Sequence, residues 1–165
     1  MTTRVPAESN RGVEPRNGSG TLPRKVRLLR HADFERVYKL GRRHFSASMT
    51  VFYCPRAESA QDQAPRRSRD QSYSGLRIGF TVSRALGGAV QRNRMKRRLR
   101  EAVRLTRPVE GASADVVINP KKSLLTVDFA AVVNEVGRAF VVIEQKIGAA
   151  TSTDKNSSGS RKPKP

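Results

Sequence analysis

Apolar and polar residues alternate along two segments of the chain, which is the pattern of a half-buried β-strand. In Phe45–Cys54 the residues predicted to face the core are Phe45, Ala47, Met49, Val51 and Tyr53. In Leu76–Ser83 they are Leu76, Ile78, Phe80 and Val82. A short apolar run, Asp115–Ile118, precedes an Asn-Pro pair. The sequence therefore predicts one sheet with an apolar face and a small, polar face.

Apolar residues at helical spacing predict three helices. The first covers Ala32–Leu40, with Gly41 as its C-terminal stop. The second follows Gly88 and buries a stripe of Met95, Leu99, Ala102 and Val103. The third is capped by Thr126 and should cover the apolar sheet face with Phe129, Val132, Val133, Val136, Phe140 and Ile143. The prediction is an α+β fold, in the order αβββαβα, with about four strands in a mostly antiparallel sheet.

Length and composition predict one domain, flanked by two terminal segments in which apolar residues show no periodic spacing. Residues 1–21 and 148–165 are rich in polar residues, glycine and proline, and we expect them to be disordered tails. The α+β domain should span residues 22–147. Within it, residues 55–75 carry several arginines and are predicted to form a flexible basic loop.

Positive charge dominates the 165-residue chain, which has 33 Lys and Arg against 14 Asp and Glu, a net charge of +19. The second helix concentrates it in Arg92, Arg94, Lys96, Arg97, Arg98, Arg100 and Arg104. A helix face that is charged only because it faces water is the simpler interpretation. Such a face normally carries both positive and negative residues, however, and Glu101 is the one negative residue on this helix. A membrane surface fits less well, because the helix lacks a broad apolar face. The pattern favours nucleic acid.

The polar sheet face carries one large apolar residue, Phe52, among serine, threonine, glycine and arginine. Such a face suits a single strand whose bases stack on the ring, although an ordinary solvent-facing sheet would look the same. His31 and His44 have no Cys, Asp or Glu at ligand spacing, so neither a metal site nor protein catalysis is predicted. The lone Cys54 should be a buried free thiol, and the absence of an apolar leader favours the cytoplasm.

The run from Arg77 to Arg84, then Gly87, Ala89-Val90, Arg92-Asn93-Arg94-Met95-Lys96-Arg97 and Arg100-Glu101, resembles the signature of the bacterial ribonuclease P protein subunit. The resemblance covers roughly residues 22–147. In that family a catalytic RNA uses bound Mg²⁺ to cleave precursor tRNA at its 5′ end. The resemblance implies the ribosomal protein S5 domain 2-like fold, with a left-handed βαβ crossover that breaks the usual right-handed rule.

The resemblance also implies the partners and the contact residues of this chain. One protein would bind each catalytic RNA subunit, and precursor tRNA would be the second partner. The RNA subunit would be contacted by Arg84, Arg92, Arg94, Lys96, Arg97, Arg98 and Arg100. The 5′ leader would be contacted by Phe34, Tyr38, Thr50, Phe52, Arg77, Thr81 and Asn93. No catalytic residue or cofactor is expected in the protein.

Three departures from the family pattern affect this transfer, and one of them is that the loop of residues 55–75 is longer than usual. Ala85 stands where a basic residue is common, and Gly88 stands where an asparagine commonly precedes the helix. The family's RNA contact at position 85 and its asparagine helix cap at position 88 are therefore not carried over to this chain. A ribosomal or other RNA-binding module without a processing role is the alternative, but it would lack the Arg-Asn-Arg helix.

Overall fold

The computed structural model describes residues 21–56, 73–108 and 111–154. The predicted order αβββαβα is confirmed, with one short 3-10 helix before α1 and two others in connections between the described elements. The elements are α1 (His31–Leu40), β1 (Arg42–Phe45), β2 (Met49–Pro55), β3 (Leu76–Phe80), α2 (Ala89–Thr106), β4 (Ala114–Pro120) and α3 (Phe129–Asp154). The 3-10 helices are Arg24–Val26, Arg84–Leu86 and Lys122–Leu125.

Within the described residues the strands form one sheet in the order β1-β2-β4-β3. The β1-β2 and β2-β4 pairs are antiparallel, whereas β3 and β4 run parallel. Parallel neighbours need a long crossover, and α2 supplies it. The predicted mostly antiparallel sheet is therefore confirmed, while the left hand of the crossover stays a prediction.

The segment Phe45–Cys54, predicted as one strand, is a hairpin. Its turn is closed by Ser46 N–H, which donates to Met49 O at 3.0 Å, so that β1 ends at Phe45 and β2 begins at Met49. The prediction that Phe45 and Ala47 face the core is wrong, since Phe45 is 67% exposed and Ala47, in the turn, is exposed as well. Met49, Val51 and Tyr53 are fully buried as predicted.

The apolar sheet face is covered by α2 and α3, which form one core with it. The predicted stripe on α2 is confirmed, because all four of its residues are fully buried. Most of the stripe on α3 is also buried, but Val133 is half-buried and Phe129 is 37% exposed. Thr126 does not cap α3. Its hydroxyl donates to Ser123 O and closes the preceding 3-10 helix, whereas α3 begins at Phe129.

The predicted flanks correspond only in part to the described residues. Residues 1–20 and 155–165 lie outside them, but α3 continues to Asp154, into the range predicted as a tail. Of the range predicted as a loop, residues 55–56 and 73–75 are described, and β3 begins at Leu76, directly after that range. β2 includes Pro55, and Arg56 donates hydrogen bonds to Tyr73 O at 2.8 Å and to Gly75 O. Residues 57–72 lie outside the described part of the chain.

The polar sheet face is covered by α1, a packing layer that the sequence pattern did not predict. A second, smaller core lies between α1 and the sheet. Its buried members are Leu28, Val37, Cys54 and Val117, and its half-buried members are Phe34, Tyr38 and Phe52. Gly41 ends α1 with an extended backbone, φ −75° and ψ 159°, and not in the left-handed conformation expected of a glycine stop.

Candidate nucleic-acid interface

The strand register aligns the residues of the α1-facing side of the sheet in three rows. The first row crosses three strands at Cys54, Asp115 and Arg77. The middle row crosses four strands at Arg43, Phe52, Val117 and Gly79. The last row contains Phe45, Thr50 and Asn119, with Thr81 just past the end of β3. The rows pass from an ionic end, through an aromatic centre, to a polar end.

At the ionic end, three arginines surround the fully buried carboxylate of Asp115. Arg77 donates to both of its oxygens, at 2.7 and 2.8 Å. Arg36 from α1 also donates to Asp115, and Arg56 Nε lies 3.5 Å from Oδ1. Asp33 of α1 lies 3.4 Å from Arg77. This cluster, Asp33, Arg36, Arg56, Arg77 and Asp115, is called the Asp115 cluster below, and it ties α1 to the sheet.

Burial and pairing act in opposite directions on the groups of this cluster. Burial is the largest single influence on the pKa of Arg77 and would lower it, but the hydrogen bonds and charge attraction of Asp115 and Asp33 together outweigh burial and raise that pKa. Burial lowers the pKa of Arg56, with attraction to Asp115 as the opposing influence. Cys54 is a buried free thiol, as predicted, and burial raises its pKa.

The aromatic centre of the face consists of half-buried rings. Tyr38 and Phe52 meet edge to face with centroids 4.9 Å apart, and the Arg43 guanidinium lies 5.3 Å from the Phe52 ring centre. The Tyr38 hydroxyl lies 3.0 Å from Thr81 Oγ1 and 2.9 Å from Asn119 Oδ1. These contacts hold the α1 end that lies opposite the Asp115 cluster. We call the region around Phe34, Tyr38, Thr50, Phe52 and Thr81 the α1-sheet cleft.

Gly79 sets how closely α1 approaches the sheet. A Cβ atom at this position would lie 2.5 Å from Cζ of Phe34 and 3.2 Å from Cβ of Leu28. Any side chain on Gly79 would therefore push Phe34 away from β3. The glycine in the middle row is what allows the Phe34 ring to rest directly on the sheet.

The predicted leader residues divide between this cleft and other locations. Phe34, Tyr38, Thr50, Phe52 and Thr81 lie together in it. Asn93 is instead exposed on α2. Arg77 is on the correct face, but it is only 8% exposed and its guanidinium is bound to carboxylates. The structure thus gives Arg77 a packing role at a position where an exposed cation was expected.

The basic helix α2 presents its cations to differing extents. Arg94 and Arg97 are exposed, as is Arg84 before the helix, whereas Arg92, Lys96 and Arg100 are half-buried. Arg104 pairs with Glu101, with Nε 2.9 Å from Oε2. Gly88 offers no capping side chain, but its N–H donates to Oε1 of Gln91 at 3.2 Å.

Arg98, predicted to contact the RNA subunit, is used internally. Its two terminal nitrogens donate to the carbonyl oxygens of Leu124 and Val127, so the side chain joins α2 to the segment before α3. This correction has a physical reason. Those carbonyls belong to a 3-10 helix and its exit, where backbone acceptors lack helical partners. An arginine with several donors satisfies two of them.

Three contributors to this surface were missed from the sequence. Arg36 and Asp115 were not predicted to pair, because they are 79 residues apart and only the fold brings them together. Arg43 was not placed beside Phe52, because the hairpin was predicted as a single strand. The available signal was Ser46-Ala47-Ser48, whose small polar residues are typical of a turn.

Among residues 21–56, 73–108 and 111–154, no group of three or more His, Cys, Asp or Glu is placed to hold a metal ion. In the same part of the chain, no helix combines the length and apolarity needed to cross a membrane.

The fold and its surfaces define a class of protein: a basic α+β protein with an aromatic cleft on one side of the sheet and a cationic helix in the other layer. Comparison with known proteins narrows the class. The ribonuclease P family model matches residues 22–144. The chain belongs to the ribonuclease P protein family.

Individual relatives agree with this assignment. The ribonuclease P protein component of Desulfovibrio desulfuricans is 40% identical over 103 residues, which cover 61% of this chain and 68% of the relative. That of Desulforapulum autotrophicum is 32% identical over 135 residues, covering 79% and 99%. The Thermotoga maritima RNase P protein structure has a TM-score of 0.54 at 25% identity, covering 73% of this chain and 96% of the other. The Staphylococcus aureus structure has a TM-score of 0.56 at 22% identity, covering 72% and 95%, and so supports the fold.

Proposed function

We propose that this chain is the protein subunit of a ribonuclease P that binds the 5′ leader of precursor tRNA in the α1-sheet cleft. The observation that carries the proposal is Phe52, a half-buried ring on the polar sheet face with Arg43 beside it. Single-stranded nucleic acid is bound by this combination, because bases stack on aromatic rings while cations meet the phosphates.

The cleft is suited to this role because it is preformed. The Asp115 cluster fixes one end of α1 on the sheet, and the hydrogen bonds of Tyr38 fix the other. Rings that are already positioned lose little conformational entropy when a base stacks on them. A leader bound in this way would gain affinity without a rearrangement of the protein.

We propose that α2 contacts the catalytic RNA subunit mainly through phosphates, with Arg84 extending the same surface. The Lys and Arg residues of α2 are spaced three and four positions apart, so neighbouring positive charges lie close together on the helix surface and repel each other. A phosphate backbone placed against them would relieve that repulsion and release counterions. The exposed arginines Arg94 and Arg97 are the strongest candidates.

Cleavage itself is assigned to the RNA, with Mg²⁺ held by the RNA subunit and one protein bound to each RNA in the cytoplasm. The contribution of the protein is electrostatic. Two polyanions, the RNA subunit and the precursor tRNA, must approach each other, and a chain of net charge +19 offsets their repulsion. The expected effect is tighter substrate binding with an unchanged chemical step.

Reconstitution tests the proposed function. The RNA subunit alone and the RNA-protein complex are each titrated with a precursor tRNA and with the matching mature tRNA. We expect added protein to increase affinity for the precursor more than affinity for the mature tRNA, because only the precursor carries a leader. Equal gains for both tRNAs would contradict leader binding.

The contribution of α2 predicts a change in salt dependence. Replacing Arg94 and Arg97 with alanine should weaken binding to the RNA subunit and reduce the slope of log affinity against log salt by about 0.7–0.9 for each phosphate that the variant no longer neutralises. Exposed Arg138 and Lys146 on α3 provide the matched control, since their replacement removes the same charge. A slope that changes equally in both double variants would show that net charge matters and the position on α2 does not.

A further inference from the structure

We propose that Phe45 is a second stacking platform for single-stranded RNA, which extends the α1-sheet cleft onto the β1-β2 hairpin. The inference rests on the proposed function, because the RNA it binds is the part of the leader that continues beyond Phe52. It assigns a role to a residue outside the predicted leader site. Phe45 was expected in the core, and the structure places it on the opposite sheet face.

The register gives the position of Phe45 relative to the cleft. Phe45 is paired with Thr50, and Arg43 with Phe52, so Phe45 and Phe52 are diagonal neighbours on one face. Diagonal neighbours across antiparallel strands are roughly 7–8 Å apart, which large side chains can bridge. Phe45 is 67% exposed, whereas Phe52 is half-buried. The Phe52 ring therefore lies inside the cleft, and the Phe45 ring lies next to it at the rim.

The hairpin that carries Phe45 is held against α3. Glu135 of α3 accepts hydrogen bonds from Ser48 N–H at 3.0 Å, from Ser48 Oγ at 2.7 Å and from the hydroxyl of Ser46. Burial would raise the pKa of Glu135, but these hydrogen bonds and the attraction of Lys121 together outweigh burial and lower that pKa. Because the residue after Phe45 is anchored in this way, the exposed ring projects from a fixed backbone.

Cations flank the exposed ring. Arg43 stands two residues before Phe45 on β1, on the same sheet face, and is exposed. The exposed Lys121 reaches the turn, where its ammonium donates to Ser46 O at 2.6 Å. Lys122 follows and is also exposed. An exposed aromatic ring between cations matches the requirements of an RNA base and its flanking phosphates. A protein partner that docks an apolar side chain needs a wider apolar patch, whereas this surface offers one ring surrounded by cations. RNA is therefore the favoured occupant.

The experiment measures leader-length dependence with the RNA-protein complex. Precursor tRNAs with oligouridine leaders of increasing length, and the mature tRNA, are titrated against complexes containing Phe45→Leu, Phe45→Tyr or unchanged protein. Leucine keeps an apolar side chain but removes the aromatic face, whereas tyrosine retains it. Phe129→Leu is the matched control, because Phe129 is a partly exposed phenylalanine on α3.

For Phe45→Leu we expect an affinity loss of about fivefold or more, the lower range for base-aromatic stacking. The loss should begin only when the leader is long enough to pass the cleft, and Phe45→Tyr should bind normally. Because the ring is mostly exposed, the unfolding temperature should not change. The Phe129→Leu complex should match the unchanged complex at every length.

Three results would overturn the inference: no loss at any leader length, an equal loss for mature tRNA, or a loss that tyrosine does not restore. An equal loss for mature tRNA would mean that Phe45 contacts the RNA subunit or the folded tRNA. The proposed function is judged separately, by whether the unchanged complex prefers precursor to mature tRNA. If it does while Phe45→Leu has no effect, leader binding stands and the extension alone fails.

Discussion

Replacing Asp115 with asparagine is expected to lower the free energy of unfolding by about 3–5 kcal/mol, the usual cost of removing one partner from a buried ion pair. The carboxylate is fully buried and is shared by three guanidinium groups. Arg56 and Arg77 have side chains only 13% and 10% exposed, so neither can turn fully into water when the negative charge is removed. Asparagine preserves the volume but leaves their charges unbalanced.

Urea denaturation of Asp115→Asn beside Glu101→Gln measures this effect. Glu101 also pairs with an arginine, but on the surface of α2, where water already screens the interaction. We expect a large decrease in stability for the first variant and no measurable change for the second. Similar midpoints for the two variants would mean that the Asp115 cluster does not hold α1 on the sheet.

The second large effect is expected at Phe52. Replacing it with leucine should cost about 1–3 kcal/mol of affinity for leader-bearing tRNA, the range for loss of a base-aromatic stack. Affinity for mature tRNA should stay nearly constant. Some loss of thermal stability is also expected, because Phe52 packs against Tyr38 in the smaller core.

A matched substitution separates stacking from packing. Phe140 is buried in the larger core beneath α3, so Phe140→Leu should destabilise the protein without changing the preference for precursor over mature tRNA. Parallel melting curves and tRNA titrations of the two variants make the comparison. If both variants lose affinity for both tRNAs in proportion to their loss of stability, Phe52 is a packing residue only.

Elements with strong periodicity could be predicted from the sequence. The α2 stripe was correct residue by residue, since Met95, Leu99, Ala102 and Val103 lie at helical spacing and contact one core. The order of elements followed for the same reason. The cleft aromatics Phe34, Tyr38 and Phe52 were predicted as a group, partly from the sheet pattern and partly from the family resemblance.

The remaining features depend on contacts between distant parts of the chain. Arg77 alternates with apolar neighbours, as a solvent-facing strand residue does. It is buried because α1 packs over that face of the sheet, and the strand pattern does not predict that packing. Phe45 continues the apolar alternation of β2, and only the turn at Ser46 moves it to the other face. Periodicity predicts which residues share a face within one strand, but not which other element covers that face.

The central claim, that the α1-sheet cleft holds the precursor leader, is tested most directly by photo-crosslinking. A precursor tRNA with 4-thiouridine at single leader positions is bound to the reconstituted RNA-protein complex and irradiated, and the crosslinked peptides are identified by mass spectrometry. We expect crosslinks to peptides of α1 and β2 that contain Phe34, Tyr38 or Phe52. Crosslinks confined to α3, or to α2 without any in α1 or β2, would contradict the claim.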